Sequence, residues 1–325
     1  MKHFMKFGVL AAAMALASPL AAQTVLKFAH PTPESDIQHL MAEFFAEKLA
    51  ERTNGEVTVQ IFPAGQLGSD VQALDGTRSG IIDMQLAGLN NFTGLVPEAG
   101  AFTLPFMFPD RETAYKVLDG EVGQSLGVKF EGFGLKMLGL PENGFRNMTN
   151  NRGPIVEPSD VAGLQMRVNN SQALSDMFEA LGANPIQLDV NELYTALETG
   201  VVDSQDHPIP VTLSFRFYEV QDYLSLTRHA YSPVGWMMNL NKFNSLSAEN
   251  QAILMEVAAE SVTYQRNLAI SGEAEMLKTL SADMEINDNV NSALFQEASR
   301  PAWDQFVENY GSEIIDAIPK ASAAE

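Results

Sequence analysis

Cysteine is absent from the 325-residue chain. Its absence excludes disulfide bonds, thiolate metal sites, cysteine nucleophiles and the acylated N-terminal cysteine that tethers some exported bacterial proteins to a membrane. Positive charge is also scarce, with 20 Lys and Arg against 41 Asp and Glu and a net charge of −21. Nucleic acids and anionic membrane surfaces are therefore not expected as partners. After residue 22 no apolar run is long enough to cross a bilayer, so we expect no direct membrane insertion.

The first 22 residues have the composition of a secretory signal peptide. Lys2 and Lys6 precede the apolar run 7–16, and residues 17–22 are mostly small. We predict cleavage after Ala22 and a soluble, periplasmic mature chain. A chain of this length, with 46% apolar residues, is expected to form two domains of ordinary size.

The remaining sequence alternates between strand and helix patterns, which predicts an α/β fold with a mostly parallel sheet. A long helical pattern starts after Ser247 and runs to about Leu280. At about 1.5 Å per residue this helix exceeds one small domain, so we expect it to lie across both. The predicted strands are 24–29, 56–62, 83–87, 135–140, 144–149, 164–168, 184–188 and 201–205, and the other predicted helices are 36–52, 69–78, 112–130, 171–181, 191–198 and 289–318, the last broken near Pro301.

Arg167 occupies the polar face of an otherwise apolar predicted strand, 164–168. A guanidinium in that position needs an anion as its partner. The anion is either a carboxylate of the protein, in an internal salt bridge, or the carboxylate of a ligand, which the planar guanidinium can bind with two parallel hydrogen bonds. Arg146, on the preceding predicted strand, could hold the same ligand or form an ion pair within the protein.

Five stretches of sequence resemble the solute receptors of tripartite ATP-independent periplasmic (TRAP) transporters: 27–30, 55–59, 66–68, 104–106 and 144–208. The resemblance covers almost the whole mature chain. It implies a two-lobed periplasmic binding protein of α/β class, type II-like, with hinge strands and a long helix spanning both lobes. Such a receptor closes on a small organic acid and delivers it to the membrane permease.

The resemblance also implies lobe boundaries and roles for particular residues. We expect lobe I to comprise 23–143 plus about 233–272, and lobe II to comprise 144–232 plus about 273–325. Arg167 matches the arginine that clamps the ligand carboxylate in the family, and Arg146 matches a second family arginine. In the motif 202–208 the family asparagine is replaced by His207.

Several further polar residues follow predicted strands or begin helices, where clefts of α/β proteins open. Each alone is more often a cap or turn residue, but together they predict a hydroxylated acid, such as a uronate, in preference to a C4-dicarboxylate. The histidines do not repeat at a metal-ligand interval, so neither a metal nor a cofactor is expected. The full set of candidate ligand-binding residues is Arg167, Arg146, His207, Asn169, Asp70, His30, Glu34, Gln38, Asn91 and Asp206.

A monomeric binding protein without catalysis is the function that these features favour. An exported organic-acid enzyme is an alternative, but the sequence contains no nucleophile elbow, metal-spaced histidines or phosphate loop. A periplasmic sensor that reports ligand occupancy to a membrane receptor would need the same arginine clamp, so the sequence leaves it open. The expected partners are a small organic acid and TRAP permease subunits.

Overall fold

The computed structural model describes residues 23–323, and the predicted signal peptide, 1–22, lies outside the described residues. The strands are β1 Thr24–Ala29, β2 Val57–Phe62, β3 Met84–Gly88, β4 Leu135–Gly139, β5 Glu142–Asn150, β6 Gln165–Val168, β7 Asn184–Gln187, β8 Ser204–Pro208, β9 Tyr223–Asn239 and β10 Glu285–Asn287. The helices are α1 Ile37–Arg52, α2 Asp70–Ser79, α3 Arg111–Asp119, α4 Glu121–Glu131, α5 Gln172–Ala180, α6 Val190–Glu198, α7 Ile209–Ser214, α8 Leu240–Asn244, α9 Ala248–Leu280, α10 Ser292–Ala298, α11 Arg300–Tyr310 and α12 Glu313–Ala323.

One long strand, β9, joins two sheets. Its last residues, 234–239, pair with β3 and β4, and β3 continues through β1 to β2. Its first part pairs with β5, which continues through β8 and β6 to β7. The register between β5 and β9 shifts twice, after Glu142 and after Arg146, and such irregularities bend a sheet. The α/β fold and its two-lobed form are therefore as predicted, with β5 and β9 running between the lobes.

The helix α9 confirms the prediction of an element that spans both lobes. Ser247 caps its first turn by accepting a hydrogen bond from the backbone N–H of Asn250. The first half of α9 packs on α1, where Tyr264 stacks on Phe44 at 4.5 Å between ring centroids. Near its other end, Leu280 packs in a cluster with residues of the second sheet. With 33 residues, α9 is about 50 Å long.

Two predicted elements had wrong bounds, and one strand was missed. The predicted helix 112–130 is two helices, because the chain turns at Gly120 and a side chain on Gly123 would lie 1.8 Å from the carbonyl oxygen of Leu118. The predicted strand 201–205 is the later strand β8, which therefore contains Asp206 and His207. The break predicted near Pro301 is confirmed, because α10 ends at Ala298 and α11 begins at Arg300, with Pro301 in its first turn, where proline is tolerated. A second break, at Gly311, was not predicted. The strand β9 was not predicted at all.

The C-terminal helices pack on elements of both sheets. The helix α11 lies against α5, and α12 lies against α3 and α4. Phe306 and Ile318 join the large apolar core that also contains Phe102 and Phe130. Between residues 23 and 323, none of the helices has the length and apolar character that crossing a bilayer requires.

Candidate functional site

A cleft with an empty volume of about 440 Å³ opens between the two sheets. Segments that follow β1 and β3 form one wall, and the ends of β6 and β8 form much of the other. Ligands of open α/β sheets bind at this edge, beyond the carboxyl ends of the strands. The cleft is lined by seven of the ten predicted site residues: Arg167, Arg146, His207, Asn169, Asp70, Gln38 and Asn91.

Arg167 is almost fully buried, at 2% exposure, yet it forms no salt bridge with any carboxylate of residues 23–323. Its Nε and Nη2 donate to the carbonyl oxygen of Leu188 at 3.0 and 2.7 Å. Its Nη1 lies 3.1 Å from Nε2 of His207. A guanidinium has five N–H groups, so one N–H on each terminal nitrogen has no partner among the described residues. Two such neighbouring donors have the geometry that binds a carboxylate at both oxygens.

The charge of Arg167 persists at neutral pH. Burial, and then the positive charge of Arg146, lower the pKa of Arg167 to about 10. That value is still about three units above neutrality, so the guanidinium remains protonated. The side chain is therefore a buried cation that is held by neutral groups and faces a cavity.

Arg146 differs from Arg167 because its charge is already balanced within the protein. Its Nε donates to Oδ2 of Asp206 at 2.7 Å and its Nη2 donates to Oδ1 at 2.8 Å. Burial alone would raise the pKa of Asp206, but Arg146 and then His229 outweigh it and hold that pKa well below its usual range. Arg146 also donates from Nη1 to Ser232 at 3.3 Å. The internal ion pair, one of the two alternatives for Arg146, is thus present, although the side chain also lines the cleft.

His207 lies at the end of β8, beside Arg167. Burial, and then the charge of Arg167, keep the pKa of His207 well below its usual value. The imidazole is therefore neutral at physiological pH and has one donor and one acceptor nitrogen. Its Nδ1 lies 2.5 Å from Oε1 of Gln205.

The wall opposite Arg167 carries amides and one carboxylate. Asp70 accepts a hydrogen bond from Asn91 at 2.9 Å. Burial, and then the negative charge of Asp189, raise the pKa of Asp70 to about 7. Three buried polar atoms of cleft residues have no hydrogen-bond partner in the described chain: Oε1 of Gln38, Nδ2 of Asn90 and Oδ1 of Asn169. Unsatisfied buried groups cost about 1–3 kcal/mol each, so their cluster in one cavity favours a polar ligand there.

Three predicted site residues do not line the cleft. His30 is buried behind the cleft, where its Nδ1 lies 3.0 Å from Oγ1 of Thr32 and its Nε2 lies 3.0 Å from Nδ1 of His39. Glu34 is exposed, and Asp206 is the buried partner of Arg146.

Sequence reasoning also missed residues that do line the cleft. Ser232 was missed because its strand, β9, was not predicted, and Asn143 because the predicted strand began at residue 144, whereas β5 begins at Glu142. Phe215 follows α7, a helix too short to give a periodic signal. Val190, the first residue of α6, is also part of the lining and was not among the predicted site residues.

Two hydrogen bonds connect the walls of the cleft. Ser214, at the end of α7, donates to Asp36, which caps α1, at 2.7 Å. Gln38 donates to Asn143 at 2.6 Å. These bonds hold the segment that follows β1 against α7 and against β5 of the second sheet. The structure therefore has the two walls in contact.

Comparison with known proteins gives a consistent result. Residues 28–309 match the family model described as bacterial extracellular solute-binding protein, family 7. The chain is 41% identical over 305 residues to the 2,3-diketo-L-gulonate-binding periplasmic protein YiaO of Escherichia coli, covering 93% of each chain. It is similar to a TRAP periplasmic solute-binding protein from Polaromonas bound to D-erythronate, with a TM-score of 0.90, 34% identity and coverage of 93% of this chain and 100% of the other. It is also similar to the sugar acid binding protein DctPAm from Advenella mimigardefordensis in complex with galactonate, with a TM-score of 0.89, 31% identity and coverage of 92% and 98%.

Proposed function

The chain belongs to bacterial extracellular solute-binding protein family 7, the solute receptors of TRAP transporters, and from this premise we propose that its ligand is a hydroxylated acid with a single carboxylate, a sugar acid such as a uronate. The observation that carries the proposal is the buried guanidinium of Arg167, which has no carboxylate partner in residues 23–323 and one spare N–H on each terminal nitrogen. The ligand carboxylate takes these two donors. Arg146 contributes to the same end of the site, but it attracts the ligand carboxylate less strongly because Asp206 already balances its charge.

The rest of the cleft favours hydroxyl groups. Amide groups of Gln38, Asn90 and Asn169 leave donor and acceptor atoms free in the cavity, and a hydroxyl group can serve either kind. Two of the similar proteins are named for or bound to sugar acids, D-erythronate and galactonate, which supports the same chemical class.

Asp70 discriminates against a second carboxylate on the ligand. Its pKa near 7 leaves it substantially ionised at neutral pH, and its side chain faces the cavity. A ligand hydroxyl can donate to the ionised form of Asp70, whereas a ligand carboxylate requires Asp70 to take up a proton first. A C4-dicarboxylate without hydroxyl groups also leaves the free atoms of Gln38, Asn90 and Asn169 unsatisfied, at about 1–3 kcal/mol each. Since about 1.4 kcal/mol is a factor of ten in affinity, we expect such dicarboxylates to bind at least about 100-fold more weakly than the preferred sugar acid.

Binding favours closure because the ligand contacts both walls only when they are close together. The proposed lobes are 23–143 plus about 233–272, and 144–232 plus about 273–325. The monomeric receptor, after removal of residues 1–22, then presents its closed form to the permease. Family membership implies both the periplasmic location and a permease partner.

Catalysis is not part of this proposal. The neutral His207 touches Arg167 and Gln205, and no nucleophile completes an acid–base pair with it among the described residues. Incubation of the protein with a bound sugar acid, followed by NMR, should return the acid unchanged. Conversion of the acid would reject a role in binding alone.

The proposal is tested by calorimetric titration of the mature protein with uronates, aldonates, 2-keto acids and C4-dicarboxylates. A uronate or aldonate should bind with a micromolar or lower Kd, and succinate should bind at least about 100-fold more weakly. Binding of succinate as tight as that of every sugar acid would contradict the assigned ligand class.

A further inference from the structure

A buried line of hydrogen bonds leads from backbone carbonyl groups to the cleft. Gln221 donates from Nε2 to the carbonyl oxygens of Val220, at 3.0 Å, and Asp203, at 3.4 Å. Its Oε1 accepts from the hydroxyl of Thr149 at 2.8 Å. Thr149 in turn accepts from Nε2 of Gln205 at 2.9 Å. Gln221, Thr149 and Gln205 are each at most 1% exposed, and we call these three residues the relay.

The contacts of Gln221 with two backbone carbonyl groups fix the direction of every hydrogen bond in the relay. A backbone carbonyl can only accept, so the amide nitrogen of Gln221 must face Val220 and Asp203, and its oxygen must face Thr149. The hydroxyl of Thr149 then donates to that oxygen and accepts from the next amide. Consequently the nitrogen of Gln205 faces Thr149, and its oxygen faces His207.

The oxygen of Gln205 lies 2.5 Å from Nδ1 of His207. An amide oxygen accepts only, so Nδ1 must carry the proton. The neutral imidazole then has a lone pair on Nε2, and this nitrogen accepts from Nη1 of Arg167 at 3.1 Å. The opposite tautomer would place an N–H of His207 against an N–H of Arg167, and neither group could accept.

Strand register brings these groups together. Thr149 on β5 lies opposite Gln205 on β8, and Gln205 pairs with Arg167 on β6. Gln205 and His207 are two residues apart on one strand, so their side chains share a face. Asp206 points to the other face, where it binds Arg146. The alternation of the strand therefore separates a carboxylate for Arg146 from a neutral acceptor for Arg167.

We propose that Gln221, Thr149 and Gln205 are positioning residues that fix His207 in the tautomer protonated on Nδ1, so that His207 holds Arg167 without neutralising it. This inference rests on the proposed function, in which Arg167 receives the ligand carboxylate. A carboxylate in place of His207 would hold the guanidinium equally well but would cancel the charge that attracts the ligand. The relay thus keeps the guanidinium oriented and its charge available.

The tautomer is measured directly by long-range ¹H–¹⁵N NMR on histidine-labelled mature protein without ligand. The expected spectrum has His207 protonated on Nδ1 and unprotonated on Nε2. A wild-type spectrum with the proton on Nε2, or with a charged ring at pH 7, would overturn the proposal. The measurement needs no ligand, so its result is independent of the ligand assignment.

Two variants break the relay at different distances from the cleft. Gln205→Met removes the acceptor that faces His207, and Thr149→Val removes a link that does not line the cleft. Both should shift His207 towards a mixture of tautomers. The Kd for sodium D-galacturonate should rise at least tenfold in Gln205→Met and about three- to tenfold in Thr149→Val.

Gln60→Met is the matched control, because Gln60 is an exposed glutamine in the middle of β2. It should change neither the spectrum of His207 nor the Kd. Unaltered His207 spectra in both relay variants would refute the inference, as would an altered tautomer with an unaltered Kd. If D-galacturonate fails to bind the wild-type protein, the Kd comparison uses the uronate or aldonate that does bind. If none of them binds, the ligand assignment fails, while the spectra still decide the tautomer.

Discussion

Replacement of Arg167 by alanine isolates the role of one charge. The side chain has two spare N–H groups for a ligand carboxylate. Each charge-assisted hydrogen bond contributes about 1.5–3 kcal/mol net, so Arg167→Ala should cost about 3–6 kcal/mol of binding free energy. At about 1.4 kcal/mol per factor of ten, the Kd should rise by roughly 10² to 10⁴.

A thermal-shift assay measures this loss of binding free energy as a smaller ligand-dependent rise in Tm. At a ligand concentration of 100 times the wild-type Kd, binding stabilises the folded protein by about 2.7 kcal/mol. With about 2–4 °C per kcal/mol, the wild-type Tm should rise by roughly 5–10 °C. At the same concentration the variant gains at most about 0.4 kcal/mol, so its Tm should rise by about 2 °C or less.

The variant Arg78→Ala is the control for overall charge. Arg78 is an exposed arginine on α2 that faces Asp75 and does not line the cleft. Its loss changes the net charge by the same amount, but salt screens such a charge beyond about 8 Å. Arg78→Ala should therefore keep the full ligand-dependent shift. An Arg167→Ala protein that folds and retains wild-type affinity would refute the assignment of the clamp.

Three further predictions concern the residues around the clamp. Asp206→Asn should lower the free energy of unfolding by about 3–5 kcal/mol in urea titrations, because it leaves the buried charge of Arg146 without its partner, and a loss below about 1 kcal/mol would contradict that role. The pKa of Asp70 is raised from 3.8 to about 7. Between these two pH values the folded protein holds a proton on Asp70 that the unfolded chain has lost. The contribution of Asp70 to the free energy of unfolding should therefore fall as pH rises from about 4 to 7. Asp70→Asn should remove that component of the pH profile and narrow the gap in Kd between succinate and the sugar acid, and a wild-type profile in the variant would reject the assignment. His207→Asn, which restores the residue usual in the family, should change the order of ligand affinities more than the unfolding free energy, and calorimetry showing an equal loss for every ligand would argue against it.

The pH dependence of Asp206 has the opposite sign to that of Asp70. Its pKa is held below the usual 3.8, so the stability that it contributes is present above that value and is lost as pH falls through its lowered pKa. The acid limb of a stability profile should therefore become less steep in Asp206→Asn, while the limb between about pH 4 and 7 should respond to Asp70→Asn.

Much of the fold could be predicted from local patterns. The long helix begins after Ser247 and ends at Leu280, as predicted, because its cap and its apolar spacing are local properties of the sequence. The strand β9 could not be found in this way. It buries Ser225, Thr227 and His229 beside apolar residues, and it contains Pro233. Ile155 and Asp206, on other segments, satisfy Ser225 and His229, and Thr227 pairs with His229 on the same strand. Burial of these polar side chains depends on such partners, so no period along the strand indicates it.

The sequence by itself determined that Arg146 and Arg167 are two arginines on consecutive predicted strands of an α/β protein rich in acids. Either could have been the internal salt bridge, since 41 acidic residues were available as partners. Only the tertiary structure decided between them. The pairing of β5 with β8 brings Asp206 to Arg146, while the alternation of β8 turns His207, a neutral acceptor, towards Arg167. An ion pair between residues 60 positions apart depends on strand register, and register is set by the packing of the whole sheet.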